Sequence, residues 1–460
     1  MAAPVRASGP VTAPASPAIG RSAQEERLPI EGALPAGLDG CLLRTFPHPA
    51  GAGRAGGGLV FSGIRLGAGA ARRHRATAAA RGDTPLGPVP ALAPSLRFAD
   101  SAAYGAAAYG AADSGGDGTP APRAPGHLSG HVTLARPIRD PATGWWHTVA
   151  GHPGLGQAEH LVACPGGTVV RARPFALGGA PLMHAVALTE RYVVVFDLPV
   201  VYRHAVALVG ARLPYTWQPG RPARVGLLPR HGTAEPRWFR IGPCHISRAV
   251  NAYDEGDRVV LDAVWHPRAF DATPTSAPPH LRRLTFDLAD GAVRERPLSA
   301  AHQTALVDER VCGRRHRHVF GSHDRPRGAV LVRHDLVAGR THTYELGGGR
   351  RVDPPVFVPR PARGVPGGQR DTEGDGWILA LAHDDAHRRA ELLVFDALDL
   401  AAGPSAAVRL PGGSPAAHRA TWLPAEEVSS PPRSGPPHAG AVAYRAGPGA
   451  ETVPGRTPSG

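Results

Sequence analysis

One unit recurs along this chain and limits what it can fold into. It is an apolar strand, an Asp-Leu step, a glycine turn, and a second strand that ends on leucine. It stands at Leu284-Thr-Phe-Asp-Leu-Ala-Asp-Gly291 to Leu298, and again from Val330 through Gly339 to Leu346. A third copy runs from Leu392 through Gly403 to Leu410, and a weaker one from Glu159 through Gly167 to Leu177. Each reads as an antiparallel hairpin with its turn residue in place. Gly291 and Gly339 are 48 residues apart, and Gly339 and Gly403 are 64 apart. Hairpins at such spacings predict the blades of a β-propeller. Periodicity alone leaves a β-sandwich open, while the lack of βαβ alternation argues against a parallel sheet.

Composition agrees with an all-β chain. The 460 residues include 58 glycines and 50 prolines, which leave little room for long helices. The net charge is +13, and every basic side chain other than histidine is arginine. The arginines are scattered, so the charge carries no nucleic-acid signature and fits a mild attraction to anionic membrane surfaces instead. The four cysteines, Cys41, Cys164, Cys244 and Cys312, have no metal-ligand spacing and read as small packing residues. No apolar run is long enough to span a bilayer, and the first twenty residues lack the apolar core of a secretory signal. A cytoplasmic location, with peripheral membrane contact, is the expectation. The low-complexity composition predicts disordered tails over 1–28 and 425–460, with one domain over 29–424. A low-complexity insert lies at about 102–125 within that domain.

Several blocks, in order, resemble the carotenoid cleavage oxygenases. The longest is Pro181-Leu-Met-His184-Ala-Val-Ala-Leu-Thr-Glu, which continues to Phe196-Asp-Leu-Pro199. Others are Leu34-Pro-Ala-Gly-Leu-Asp-Gly-Cys-Leu-Leu-Arg44, Asn251-Ala-Tyr-Asp-Glu-Gly, Pro355-Val-Phe-Val-Pro359 and Thr421-Trp-Leu-Pro424. The resemblance covers roughly residues 28 to 424. It implies a seven-bladed propeller, with loops and short helices covering one face. It also implies a non-haem Fe(II) dioxygenase that cleaves a polyene double bond of a carotenoid, an apocarotenoid or a stilbene.

The chemistry implied by the resemblance breaks at the metal. In this family four histidines from different blades hold Fe(II), and three glutamates orient three of them. His184 matches one ligand. The other three positions read Arg136, Arg248 and Arg419, and two of the glutamate positions read Gln303 and Pro354. The acidic residue that follows the retained histidine in the family is Ala185 here. Arginine stays protonated and offers no lone pair. At about 4 Å and an effective dielectric of about 20, two like unit charges cost about 4 kcal/mol, and a dication doubles that. His131, His245 and His418 lie five, three and one residues from the lost positions. An odd offset on a regular strand turns a side chain to the opposite face, so none of the three is expected to stand in.

Two further features are read as surface. The tract Arg314-Arg-His-Arg-His318 reads as a solvated face, and His383 with His387 as a surface loop. The apolar stretch from Leu198 to Leu228, with basic residues interspersed, reads as a lid or a membrane-touching cover. The residues favour an inactive or strongly impaired enzyme with Fe(II) weakly bound or absent. Two alternatives stand beside cleavage: a non-catalytic protein that binds an apolar isoprenoid such as an apocarotenoid acid, and a decaying paralogue without function.

Overall fold

The computed structural model describes residues 26–47, 59–78, 83–84, 87–88, 133–153, 156–165, 169–205, 214–270, 277–299, 302–361, 372–411 and 419–425. The low-complexity insert and most of both predicted tails lie outside them. Glu26–Leu28 is a strand paired with Ala70–Ala78, so the folded chain starts before residue 29.

The described residues form six large antiparallel sheets. Sheet I runs Thr133–Leu134 with Ile138–Arg139, Trp146–His152, Gln157–Ala163 and Val169–Ala176. Sheet II is Ala187–Leu188, Tyr192–Asp197, Ala223–Pro229 and Arg237–Ile241. Sheet III is His245–Glu255, Arg258–His266, His280–Asp287 and Val293–Ser299. Sheet IV is Thr304–Leu306, His318–His323, Val330–Asp335 and Arg340–Glu345. Sheet V joins Arg351–Val352 and Val356–Pro359 to Gly376–Asp384, Arg389–Asp396 and Ala406–Leu410, with Ile30–Gly32 at its far edge. Sheet VI starts with Arg419–Pro424, which pairs with Gly40–Pro47 from the other end of the sequence. Leu59–Gly67 and Ala70–Ala78 follow, and Glu26–Leu28 closes its edge.

All four hairpins read from the sequence are present. Gly291, Gly339 and Gly403 sit at φ of 78°, 64° and 82°, the left-handed region where glycine carries no steric cost. The described residues form six large sheets against the expected seven blades. Of the expected short helices, the described elements include two 3₁₀ turns, Glu309–Val311 and Leu400–Ala402. No described helix is long and apolar enough to cross a membrane.

The packing follows from the strand period of two. Tyr192–Asp197 is a continuous apolar run, and its side chains divide between two neighbours. Val193 and Val195 join the core with sheet I, while Val194 and Phe196 join the core with sheet III. Gly376–Asp384 does the same: Ile378 and Ala380 meet sheet IV, and Trp377 and Leu379 meet sheet VI. A separate apolar core lies between sheets III and IV, around Val264, Leu281 and Val319. Sheets with both faces covered and stacked in chain order are the blades of a propeller.

Buried polar groups pin the blades together. Arg44 in sheet VI, with 0% exposure, donates to Asp353 in sheet V at 3.0 Å. His383 lies 2.9 Å from the other oxygen of Asp353. His383 is therefore a buried strand residue and not part of a surface loop; only His387 lies in an exposed turn. The Arg314–His318 tract also divides. Arg314, Arg315 and Arg317 are exposed, whereas His316 and His318 are buried. His316 sits 3.0 Å from Asp262, which Arg283 holds with two 2.7 Å bonds. Alternation along an extended segment accounts for the split.

Phe395 is fully buried between sheets IV and V, with its ring 4.9 Å from that of Tyr344. Phe395→Ala is expected to lower unfolding free energy by about 3–5 kcal/mol. Val337→Ala, at a position 70% exposed, is expected to leave it nearly unchanged. Chemical denaturation of the two variants checks the pair.

Burial also holds several imidazoles neutral. His147 is pushed from 6.5 to about 4, first by burial and then by Arg230. His334 falls from 6.5 to about 4 through burial and then His302, whose Nε2 lies 2.6 Å away. A base whose folded value is depressed leaves stability intact above its unfolded value of about 6.5. Stability is then lost as pH falls from there toward 4, because the unfolded chain takes up protons that the folded one refuses. Urea midpoints are expected to hold steady near neutrality and to drop steadily between about pH 6.5 and 4. A flat profile across that range would contradict neutral burial of these rings.

Candidate functional site

The strands that begin each sheet carry the positions singled out in the sequence. Arg136 lies between the two short strands that open sheet I, and His184 lies just before sheet II. Arg248 is in the first strand of sheet III and Gln303 lies just before that of sheet IV. Pro354 lies between the two opening strands of sheet V, and Arg419 begins sheet VI. These opening strands meet one another: sheet II touches III, III touches IV, and V touches VI through them. They are the strands at the propeller axis.

His184 is held through its backbone from three sides. Leu182 donates to Val200 at 2.8 Å, and Tyr202 donates to Ala180 at 2.9 Å. Val200–Tyr202 is in turn paired with Tyr215–Trp217, so part of the apolar stretch 198–228 forms a ribbon beside the site. The Met183 N–H reaches the Thr133 hydroxyl at 3.3 Å. The Arg136 N–H donates to the His184 carbonyl at 3.2 Å, which joins sheets I and II at this point. The His184 ring Nδ1 lies 3.2 Å from the Leu182 carbonyl.

His245 faces His184, against expectation. The two rings stack with centroids 4.6 Å apart and planes 17° apart. The cause is a β-bulge: Ile246 pairs with Trp265 and Arg248 with Val264, so Ser247 is the extra residue. The alternation rule fails at that insertion, and His245 comes round to the His184 side. His266, the register partner of His245, stands 5.8 Å from it ring to ring and bonds Ser247 at 2.8 Å. Counted back from Glu255 and Arg258, an unbroken hairpin register sets His266 opposite Ser247; the extra residues Ser247 and Val250 shift it onto His245, and nothing in the residue types announces them. His131, His418 and the Arg419 side chain lie outside the described residues.

The imidazoles of the cluster are held neutral. Burial lowers the His184 pKa, against the opposing pull of the Leu182 and Ile246 carbonyls. His245 falls well below its usual range through burial and then His184 and His266. His266 is lowered by burial and then by His184. Burial also lowers Arg136, which Glu309 opposes. Arg248 is partly buried and engaged in an interaction of its own.

The positions of the orienting glutamates are not occupied by equivalents. Gln303 is exposed, and the buried residue beside it is His302, bonded to His334. Pro354 is partly buried, and its acidic neighbour Asp353 is taken up by Arg44 and His383. Ala185 is packed in the core between sheets II and III.

These residues do not fit the ferrous ion that the resemblance implies. His184 Nε2 and His245 Nδ1 are buried and make no hydrogen bond. Their rings lie face to face, however, so the in-plane lone pairs run side by side and do not converge. No group of three or more histidine, cysteine or carboxylate side chains among the described residues could hold a metal ion.

Residues 110–424 match the family model described as retinal pigment epithelial membrane protein. A carotenoid cleavage oxygenase of Mycobacterium tuberculosis is 30% identical over 361 residues, 65% of this chain and 69% of that protein. In fold, the chain is similar to a lignostilbene dioxygenase of Pseudomonas brassicacearum, with TM-score 0.69 and 23% identity over 90% of this chain and 100% of that one. A cobalt-substituted apocarotenoid oxygenase of Synechocystis gives TM-score 0.67 and 18% identity, over 88% of this chain and 98% of the other. The order of the sequence blocks, the propeller that carries them and these likenesses lead to one conclusion: the chain belongs to the retinal pigment epithelial membrane protein family of carotenoid oxygenases.

Proposed function

We propose that this member of the family holds an apolar isoprenoid at the propeller axis and has lost, wholly or largely, the ability to cleave it. The observation that carries this reading is the residue set on the axial strands. One of the four ligand positions is histidine, and the partner that packs against it is a stacked imidazole and not a converging one. Arg136 and Arg248 stand on two of the remaining positions. Iron-dependent relatives need several neutral nitrogen donors and open coordination sites for oxygen. A single imidazole does not hold ferrous iron against water, and arginine at the other ligand positions offers no lone pair.

Retention of the ligand site has its own support. The ribbon Val200–Tyr202 and Tyr215–Trp217 stands against the His184 segment, and Val200, Val201 and Tyr215 are buried there. The relatives are named for carotenoid and apocarotenoid substrates, which are long and apolar. The same fold can keep a binding site when its chemistry is gone.

Metal analysis tests the catalytic half. Purified with excess Fe(II) under anaerobic conditions, the protein is expected to carry far less than one iron per chain, with no change in His184→Ala. Near-stoichiometric iron that disappears in His184→Ala would overturn the reading and restore the enzyme.

Restoring histidines is expected to be insufficient. Arg136→His, Arg248→His and Arg419→His together rebuild the four-imidazole formula but leave Gln303 exposed, Pro354 without a carboxylate, and His245 stacked on His184. Each missing orienting partner costs about 10–100-fold in affinity or activity. The triple variant should bind iron weakly and turn over β-carotene or apocarotenals barely above background. Robust cleavage would show that the orienting groups are dispensable.

A further inference from the structure

One corner of sheet I gathers apolar and basic side chains at the surface. Trp146, Ala163 and Val169 lie side by side across its strands, and His147, Val162 and Arg171 form the next row. Val170 is the extra residue of a bulge between Val169 and Arg171, and Trp145 precedes the first row. Five large apolar side chains are exposed among the described residues, and three of them, Trp145, Val169 and Val170, stand at this corner. Val169–Ala176 is the last strand of its sheet and pairs with no further strand among the described residues. Clustered apolar surface of this kind marks a place where a partner sits.

The charge at the corner is of one sign. Arg171 is exposed and makes no hydrogen bond or ion pair among the described residues. Its pKa is lowered by partial burial and then by Arg173 and Arg230, with no acid opposing them. The Arg173 guanidinium donates to the carbonyls of Pro229 and Ala234, at the turn between the last two strands of sheet II. Arg230, in the same turn, is bound by Asp140. Glu235 is exposed there and forms no ion pair with the three arginines among the described residues. His147 and His160 back the cluster and are held neutral by burial, so they add no negative charge. Three guanidiniums thus share one bound carboxylate, and the outermost has none.

We propose that this corner of sheet I docks on a membrane surface that carries anionic phospholipid, with Trp145, Val169 and Val170 at headgroup level and Arg171 against a phosphate. A free phosphate would answer the arginine and leave the valines and the tryptophan in water. An anionic bilayer answers both, because its boundary accepts an indole ring and short apolar side chains while its surface potential attracts arginine. The net charge of +13 adds to that attraction. The docking surface lies on the outer strand of a blade and is separate from the ribbon Val200–Tyr202 and Tyr215–Trp217 beside His184. It stands whether or not the axis holds a ligand.

Co-sedimentation of the full chain with lipid vesicles tests the assignment. Vesicles of phosphatidylcholine with about one third phosphatidylglycerol are expected to bind the protein, and salt at about 0.5 M to release it. Phosphatidylcholine alone should bind it barely. Arg171→Gln, at an exposed side chain without partners, should weaken binding about fivefold, the effect of one arginine at an anionic surface. Val169→Ser with Val170→Ser should also weaken it, whereas Val337→Ser, exposed in a turn of sheet IV, should leave it unchanged. Equal binding to both kinds of vesicle overturns the assignment, and so does binding undiminished in Arg171→Gln and in the double valine variant. Binding to neither vesicle overturns it as well. If inorganic phosphate then raises the melting temperature of the wild-type protein and not of Arg171→Gln, the corner is a site for a free anion and not for a membrane.

Discussion

Several middle strands of this propeller, among them Tyr192–Asp197, His318–His323 and Val330–Asp335, are buried on both faces, and that constraint governs the rest. A strand such as Tyr192–Asp197 has no solvent side to give up, so each sheet needs a neighbour on each flank. The need passes from sheet to sheet and ends only where the chain meets itself. Sheet VI is that place: Arg419–Pro424 lies against Gly40–Pro47, and Ile30–Gly32 crosses to the edge of sheet V. The buried Arg44–Asp353–His383 contact fastens the same junction with charge and hydrogen bonds.

The positions that could perform chemistry lie on the strands that open each sheet, while the middle strands supply most of the valine, leucine and phenylalanine of the cores between sheets. The opening strands share in that packing through residues such as Ala187, Ile246, Ala252 and Ala305, and neither Arg136 nor Arg248 is among the residues of those cores. Arginine at 136 or 248 therefore changes what the axis can hold and leaves the cores between blades untouched. This separation is why family membership and catalytic competence are independent statements about the same chain.

Much of this is legible in the sequence, for reasons that are local. Hairpins with glycine turns depend on neighbouring residues, so Leu284–Leu298 and Leu392–Leu410 can be read directly, and the landmark Asn251 explains itself once its amide is seen clamping Val311, Arg314 and Gly313. The alternation rule misleads at His245, because one inserted residue, Ser247, resets the face of everything before it. It holds at His316 and His318, where charged neighbours have the look of surface although every second side chain points inward, whereas His383 lies on a strand buried along nearly its whole length. Gln303 can be placed by its block but not by its exposure, since burial there depends on sheets IV and III meeting, which is a long-range fact.

The closure of sheet VI has a consequence for how the molecule comes into being. The register of Thr45 with Arg419 joins residues 374 positions apart, so that pairing waits until almost the whole chain has been made. Until then Gly40–Pro47 presents an open edge with Leu42 and Leu43 beside it, the sort of surface that attracts other chains. Contacts of such sequence separation are slow to form. The pairing with Arg419–Pro424 is what covers this edge, so it protects the chain from its neighbours as well as closing the sheet.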